Sequence, residues 1–410
     1  IRDRSSTAWA EGSGYMYGHL CMAPGTPVIT EHGVIKPIEE IKKGDWVLTH
    51  TGANARVVDV MGQPSTKGPM IRITPWLAEA FYCTPEHTIP TQRGTIEAKD
   101  LKKTDRLIMP VRPIRHEYRS VVLPETGKVG SSHINREEGW VRVKGAGSGA
   151  TLELTEEVGF ALGYYLSEGC MLHRKGKPSG ITFARHRDEK EYADRAIAAL
   201  EPFITGNRHT VDVEGCLTST ETIYGTPLCE WIEDTFGSAD SKRIPDGVFD
   251  WGREFCYGLL TGLLCGDGSK SVTTAKGRNG VLYPLNTMIL PTTRSSIATQ
   301  ARDLAASLGM GWGAIRYLPG GDRYGRNCKP CWRVHWNGTA AANLRDLIGK
   351  ERVPNAGHGG KPKYEIKDGL VYIQIRDITP GFEFPEMWDI SVDHPDHTFR
   401  TPHCAVGNTE

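Results

Sequence analysis

The sequence predicts a multi-domain chain in which an all-β domain is split by an inserted α+β domain with two pseudo-symmetric αβ repeats. Three observations predict it. At 410 residues the chain is too long for one core of ordinary size. Short strand-forming runs broken by Gly and Pro fill residues 21 to about 112 and return after Lys361-Pro362, whereas helices alternate with strands from 151 to about 350. Within that middle stretch one αβ pattern occurs twice. Composition agrees, because 39% hydrophobic and 24% charged residues exclude disorder, collagen and coiled coil. No apolar run approaches the roughly 18 residues of a membrane span, and the first twenty residues lack a signal-peptide layout, so a cytoplasmic monomer away from membranes is expected. Ten cysteines scattered over such a length are read as core residues, ligands or nucleophiles rather than a disulfide framework.

In chain order, strands are expected at Pro27-Val28-Ile29-Thr30, Trp46-Val47-Leu48-Thr49, Arg56 to Val60 and Met70 to Ile73. Residues 113–150, with Pro113, Pro124 and Gly145-Ala146-Gly147-Ser148-Gly149, suit a linker or a surface excursion. A helix follows from Glu156 to Gly169 with Thr155 as its cap, and its counterpart runs from Phe255 to Gly268. Small residues recur every fourth position, at 159, 163 and 167 and at 258, 262 and 266, leaving a bare stripe that lets two backbones approach closely. Each half then carries a second amphipathic helix, around Tyr192, Ala196 and Leu200 and around Ile297, Ala301 and Leu304. After residue 351 strands return at 369–375 and 388–392.

Glu168 and Asp267 end the two striped helices at equivalent positions, each followed by a glycine expected to terminate the helix. Side-by-side packing would converge two carboxylates at two negative dipole ends, an arrangement that calls for cations. Hard divalent ions take such oxygen ligands and can activate water on a phosphodiester. Charge supports a nucleic-acid surface: residues 268–350 hold twelve Lys plus Arg against three Asp plus Glu, whereas residues 168–267 hold eleven against seventeen. Arg185, Arg187, Arg316, Arg323, Arg326 and Arg333 are candidates to read a groove, each also an ordinary surface charge when taken alone. Cys328-Lys329-Pro330-Cys331 with His335 lacks the fourth ligand of structural zinc, and a packed or turn-forming pair is favoured.

The two striped helices resemble the paired LAGLIDADG motifs of single-chain homing endonucleases over residues 151–350. The resemblance implies that Glu168 and Asp267 bind the catalytic metal, Mg²⁺ or Mn²⁺, and that the partner is double-stranded DNA, the uninterrupted allele of the host gene. Glu168 departs from the more frequent Asp and has a longer reach. Lys242, in Ser241-Lys242-Arg243-Ile244-Pro245, resembles the lysine that approaches the site from the first half. Lys350 is its out-of-register second-half counterpart.

The flanking β segments carry Cys21-Met22-Ala23-Pro24-Gly25-Thr26, Thr84-Pro85-Glu86-His87, Trp388-Asp389-Ile390, Asp396-His397-Thr398-Phe399 and Val406-Gly407-Asn408-Thr409. In this order they resemble an intein of the Hint fold, with 21–112 and 351–408 as its two parts and residues 1–20 and 409–410 as flanks of a host protein joined in cis. The resemblance implies autocatalytic splicing without a cofactor. Cys21 attacks the Leu20 carbonyl, Thr84 and His87 assist that step, Asp389 aids opening and transesterification, Thr409 takes the acyl group, and Asn408 cyclises with help from His397. Gly407 stands where many members carry His, and Cys404 is expected to be structural. Two other readings remain open: a splicing element whose nuclease has decayed to DNA binding, and a Hint autoprocessing domain that cleaves without ligating.

Overall fold

The computed structural model describes residues 20–64, 68–125, 133–135, 140–142, 149–186, 189–204, 208–212, 217–269, 273–276, 280–323, 325–350 and 363–408. Strands from the two ends of the chain interleave. Met70–Pro75 and Arg106–Pro110 flank Leu370–Phe382 on either side in one sheet, and Glu386–Val392 pairs with Asn54–Pro64 in another. Alternating burial along Leu370–Phe382 sends Val371, Ile373 and Ile375 inward, as a sheet with one covered face requires. Their core includes Val28, Ile73, Phe81, Ile89, Leu107, Ile390, Phe399 and Val406. The Thr398–Arg400 and Ala405–Gly407 strands form a hairpin at the end of this β part.

The middle of the chain hangs from a hairpin end. Pro110 lies opposite Leu370, and the Val111 N–H donates to the Gly369 carbonyl at 2.8 Å, so residues 111–369 leave and return at one point. Ser120–Val122 pairs with Thr151–Glu153, and Leu123 and Leu152 are buried in the middle block's core.

That core surrounds two helices. Helix α1 spans Glu156–Glu168, with the Thr155 hydroxyl accepting the Val158 N–H at 3.3 Å. Helices α2 (Lys190–Leu200) and α3 (Thr226–Phe236) follow, and α4 spans Arg253–Asp267. Then come α5 (Ser295–Ser307) and α6 (Thr339–Leu347). A four-stranded sheet (Gly169–Arg174, Lys177–His186, Thr218–Tyr224, His209–Asp212) accompanies the first three helices. A three-stranded one (Thr287–Thr292, Cys331–Asn337, Ala314–Leu318) accompanies the last three.

The stripes act as the spacing predicts. A Cβ on Gly159 or Gly163 would sit well inside 3.0 Å of the Phe255 or Leu259 carbonyl oxygen, and one on Gly258 or Gly262 would strike the Glu156 or Phe160 carbonyl. Residue numbers rise together on both helices, so α1 and α4 pack in parallel with their C-terminal ends side by side. The glycines after the two acids do not have the left-handed conformation expected of helix-ending glycines: φ is −82° at Gly169 and −68° at Gly268. They are needed for room, because a side chain would meet the Tyr165 ring and the Leu264 carbonyl.

Gly163→Ala is therefore expected to destabilise the protein by about 3 kcal/mol, the upper part of the range for overpacked cores. Ser167→Ala, further along the same stripe, should cost less than about 1 kcal/mol. Urea unfolding of both variants tests this, and equal losses would contradict backbone contact at Gly163.

Candidate functional site

Two sites emerge, one in each part of the molecule. In the β part, Met22 bridges Trp388 on one side and Cys83 on the other, with Met22 N–H donating to Trp388 O at 2.7 Å and Trp388 N–H to Met22 O at 2.9 Å. Continuing this antiparallel register by one residue sets Cys21 between Asp389 and Thr84. The Cys21 N–H donates to Thr84 Oγ1 at 3.2 Å, and the Thr84 N–H returns a bond to the Cys21 carbonyl at 2.9 Å. Cys21, Thr84, His87 and Asp389 are all buried, and Asp389 Oδ1 accepts the Ile390 N–H at 2.8 Å. Burial pulls the His87 imidazole down to about 3, while the Leu20 backbone that it faces pulls the other way. His87 thus stands neutral beside the peptide preceding Cys21. Gln63, which no sequence motif signalled, donates from Nε2 to Cys21 Sγ at 3.5 Å.

The opposite chain end lies on the hairpin. Asn408 is 3% exposed, and its N–H donates to the His397 carbonyl at 2.9 Å. Both side-chain amide atoms of Asn408 are buried without a hydrogen-bond partner among the described residues. His397 sits at φ 46°, in the left-handed region, which turns the chain back into the strand Thr398–Arg400. His403, by contrast, is in the turn at the far end of the hairpin, about three strand residues from Asn408. Gly407 has no positive φ. Its cause is close approach, because a Cβ there would collide with Thr88 Oγ1 and crowd the Thr88 carbonyl. No side chain, imidazole included, fits at 407 while Thr88 is present. Thr409 lies outside the described residues.

The second site is a cleft of about 440 Å³ at the paired ends of α1 and α4, lined by residues that include Ser167, Cys170, Lys242, Asp267, Arg294 and Cys331. Glu168 lies against Gly266, where an added Cβ would come 3.1 Å from its Cγ, so the two acidic helix ends meet. Burial raises the Asp267 carboxyl to about 6 despite Lys242 and Arg294 nearby. Lys242 is no ordinary surface lysine. It is 7% exposed and donates from Nζ to the carbonyls of Tyr165 at 2.7 Å, Leu166 at 3.3 Å and Gly169 at 2.5 Å, capping α1's negative end. Burial, reinforced by Arg294, lowers Lys242 to about 8. Arg294 was missed by sequence reading; its signal is a basic residue between a strand end and the Ser-Ser start of α5.

The donor set suits a hard divalent cation. Asp267 lines the cleft and Glu168 lies against the neighbouring helix end, and such ions bind through one or two carboxylates with the remaining positions left to water and phosphate. No group of three or more His, Cys, Asp or Glu capable of holding a metal occurs among the described residues.

Other candidates fall elsewhere. Arg185 is 7% exposed and bound to Ser219 and Glu221 at 3.0 and 3.4 Å, which leaves it unable to reach a nucleic acid. Arg316 and Arg333 lie directly opposite one another on neighbouring strands, a like-charge pair that an anion would relieve. Burial and these two arginines lower His335 to about 4. Lys350 does not line the cleft; its N–H ends α6 on the Arg345 carbonyl at 2.8 Å. Cys331 and His335 lie four strand residues apart, about 13 Å, too far to share one zinc ion. Arg187 and the side chains of Arg323 and Arg326 are outside the described residues.

No family model matches the chain. It is 24% identical over 408 residues to the ATP-dependent DNA helicase Hel308 of Thermococcus kodakarensis, covering 91% of this chain and 35% of that protein. It is 27% identical over 347 residues to an iron-sulfur cluster assembly SufBD family protein of Mycobacterium tuberculosis, covering 80% and 37%. The chain thus spans about a third of the length of the curated relatives it matches. Among solved structures, the gp41-1 intein is 29% identical over 22% of this chain and 68% of its own, with a TM-score of 0.20. The homing endonuclease I-DmoI in complex with DNA and Mn is 9% identical over 49% of this chain and 99% of its own, with a TM-score of 0.33.

A pH dependence of stability follows from the buried imidazoles. His87 and His403 are lowered to about 3, both chiefly by burial, so between 3 and the unfolded value near 6.5 the unfolded chain binds more protons. Stability is complete above 6.5 and is lost as pH falls, by roughly 2 kcal/mol per histidine at pH 5. Asp267, raised to about 6, runs the other way, its contribution being lost as pH climbs from 3.8 towards 6. Urea unfolding at pH 7 and pH 5 should show a smaller acid loss in His403→Gln than in wild type, and identical losses would refute the assignment.

Proposed function

We propose that the chain is a bifunctional intein, an autocatalytic protein-splicing domain interrupted by a metal-dependent, double-strand-specific homing endonuclease with two pseudo-twofold-related halves. The observation that carries the reading is the surroundings of the Leu20–Cys21 peptide. A cysteine held between Thr84 and Asp389 has its own amide N–H bound by Thr84, and a neutral imidazole faces the preceding backbone. The relatives add support. Proteins named for unrelated activities share a stretch of similar length with this chain, as expected of an element that lodges in different hosts.

In the first step the Cys21 thiol adds to the Leu20 carbonyl carbon. The carbon–sulfur bond forms, the carbon–nitrogen bond breaks, and the thiol proton ends on the departing amine. His87 enters this step uncharged, so it accepts the thiol proton before delivering it to nitrogen, the two halves of acid–base help worth about 10²- to 10⁴-fold. Thr84 holds the N–H of the nitrogen that must become tetrahedral. Thr409 then takes the acyl group through its hydroxyl, with Asp389 assisting. Asn408 attacks its own carbonyl carbon with its side-chain nitrogen and cuts the Asn408–Thr409 bond, and an oxygen-to-nitrogen shift joins Leu20 to Thr409. The Asn408 amide, which has no hydrogen-bond partner among the described residues, is the group that would turn onto that carbonyl. His397, whose carbonyl accepts the Asn408 N–H at 2.9 Å, is the residue whose imidazole would assist.

In the cleft, Glu168 and Asp267 would hold Mg²⁺ or Mn²⁺, which supplies an activated water and neutralises charge on the phosphodiester. Arg294 and Lys242 place positive charge beside the attacked phosphate. Arg316 and Arg333 extend that charge along the adjoining sheet, where phosphate contacts would dominate affinity.

Intact mass measurement after expression should find residues 21–408 released and the flanks ligated. Cys21→Ala abolishes ligation and Asn408→Ala stalls the branched or thioester stage; ligation by either would sink the splicing assignment. Gly407→Ala is expected to slow release at Asn408, and Thr88→Gly to restore it in part, because the closer clash is with the Thr88 hydroxyl while the Thr88 carbonyl stays 2.9 Å from the added Cβ. Failure of Thr88→Gly to restore release would place the cause elsewhere. For the nuclease, Glu168→Gln and Asp267→Asn should each lower cleavage at least 10²-fold while DNA binding persists. Undiminished cleavage of a plasmid target by both would rule out the shared cation site.

A further inference from the structure

The two parts of the molecule meet through an apolar cluster that joins Met109, Val371 and Ile373 to Ala306 and Trp312, through Ser295 and Thr299, and at two carboxylates of the middle block. Asp246 accepts from the His32 N–H at 2.9 Å, Arg112 at 3.0 Å and Gln300 at 2.6 Å, and so binds residues remote from either scissile bond. Asp303, on α5, is placed differently. Its Oδ2 accepts from Arg400 at 2.9 Å, and its Oδ1 from Arg302 at 3.2 Å. Arg302 in turn donates to the Pro402 carbonyl at 2.7 Å and lies over the Trp312 ring at 4.1 Å. Arg400 belongs to the strand Thr398–Arg400, and Pro402 to the turn that follows it. Exposure is 0% for Arg400, 1% for Arg302 and 5% for Asp303.

We propose that Asp303, a residue of the middle block, is a positioning residue for cleavage at Asn408. The proposal rests on the splicing reading and extends it. The hairpin is short: Arg400 lies opposite Ala405 and Thr398 opposite Gly407, and Asn408 follows at once with its N–H on the His397 carbonyl. Its strand is tied to Asp303 through Arg400, and its turn through Arg302. A buried guanidinium deprived of its carboxylate must find another acceptor, and Arg400, whose Nε is held on Met109 Sδ at 3.2 Å, then pulls on the strand that carries it. Among the described residues Asp303 is the one carboxylate paired with Arg400, whose Nη1 has no partner. The N-terminal site is not on this hairpin; Cys21 is held by Cys83, Thr84 and Trp388. Asp303 is therefore tied directly to the hairpin that carries Asn408 and reaches the Cys21 site only indirectly, through the approach of Gly407 to Thr88, and a misplacement near 1 Å costs on the order of 10²-fold in rate.

The test uses the full chain and reads the two half-reactions separately by mass spectrometry. Thiol-induced cleavage at Leu20–Cys21 is followed in an Asn408→Ala background, and release at Asn408–Thr409 in a Cys21→Ala background. Asp303→Asn should slow the second on the order of 10²-fold and leave the first within about twofold. Asp303→Glu should recover most of the loss, and Asp246→Asn should leave the ratio of the two rates unchanged. Should Asp303→Asn fail to fold, Arg302→Met frees only the turn and should still slow Asn408 release selectively. Equal loss of both half-reactions in every variant, a shift of the ratio by Asp246→Asn, or unchanged release in Asp303→Asn would overturn the proposal. Absence of both half-reactions in the parent chains would instead overturn the splicing reading itself.

Discussion

Two helices packed in parallel through glycine bring like ends of their dipoles together, and the middle block of this molecule is organised around that constraint. Backbone contact at Gly159, Gly163, Gly258 and Gly262 leaves no room for the C-terminal ends of α1 and α4 to splay apart. Each end carries partial negative charge, and each bears an acid. The molecule answers with positive charge on two sides. Lys242 fills the carbonyls that end α1, and Arg294 faces Asp267 from the start of α5. These cations do not fully compensate, since burial still holds Asp267 near 6. What remains is a cleft that gains from a further cation, so one packing decision made by four small residues sets the charge at its end.

The β part is governed by a different constraint, closure of its two halves around a single peptide. Met22 needs partners on both sides, Cys83 from the first half and Trp388 from the second, so Cys21 cannot be set until strands more than 300 residues apart have met. Small residues mark the tight points here as well. The absence of a Cβ at Gly407 allows Thr88, the residue after His87, to lie against the hairpin that ends in Asn408. The elements that carry His87 and Asn408 are thereby made neighbours, whereas the flat sequence separates them by more than 300 residues.

Legibility in the sequence followed how local each cause was. The interrupted β pattern, the striped helices and their terminal acids were readable, because periodicity and capping act within a few residues. Cys21, His87 and Asn408 stood out in the sequence only as a constellation resembling a family, and their proposed roles rest on that resemblance together with the geometry around Cys21. Arg294, Gln63 and Thr88 were not, since each matters through a contact made by another segment. Lys242 was readable as a position but not as a buried cap on α1. The arginines misled most. Arg185 looks the same as Arg333 in sequence, yet one faces Glu221 across a covered sheet face and the other lies opposite a second arginine. The role of Gly407 was equally hidden, as backbone freedom and lack of space favour the same residue.

The long insertion raises the question of why the β part closes at all. Joining two strands through 259 residues rather than a tight turn costs about 4 kcal/mol more in chain entropy if the loop is disordered, at about 0.6 kcal/mol for each doubling. A folded insert changes that sum, because its ends are already adjacent where Val111 meets Gly369. The interface adds specificity rather than a comparable sum: removing one partner of a buried ion pair such as Asp303 with Arg400 costs roughly 3–5 kcal/mol because it strands the other charge, which fixes how the block seats on the β part. The middle block therefore acts as a preformed clasp, and the carboxylates by which it grips the β part belong to the same structural economy that brings Asn408 to its place.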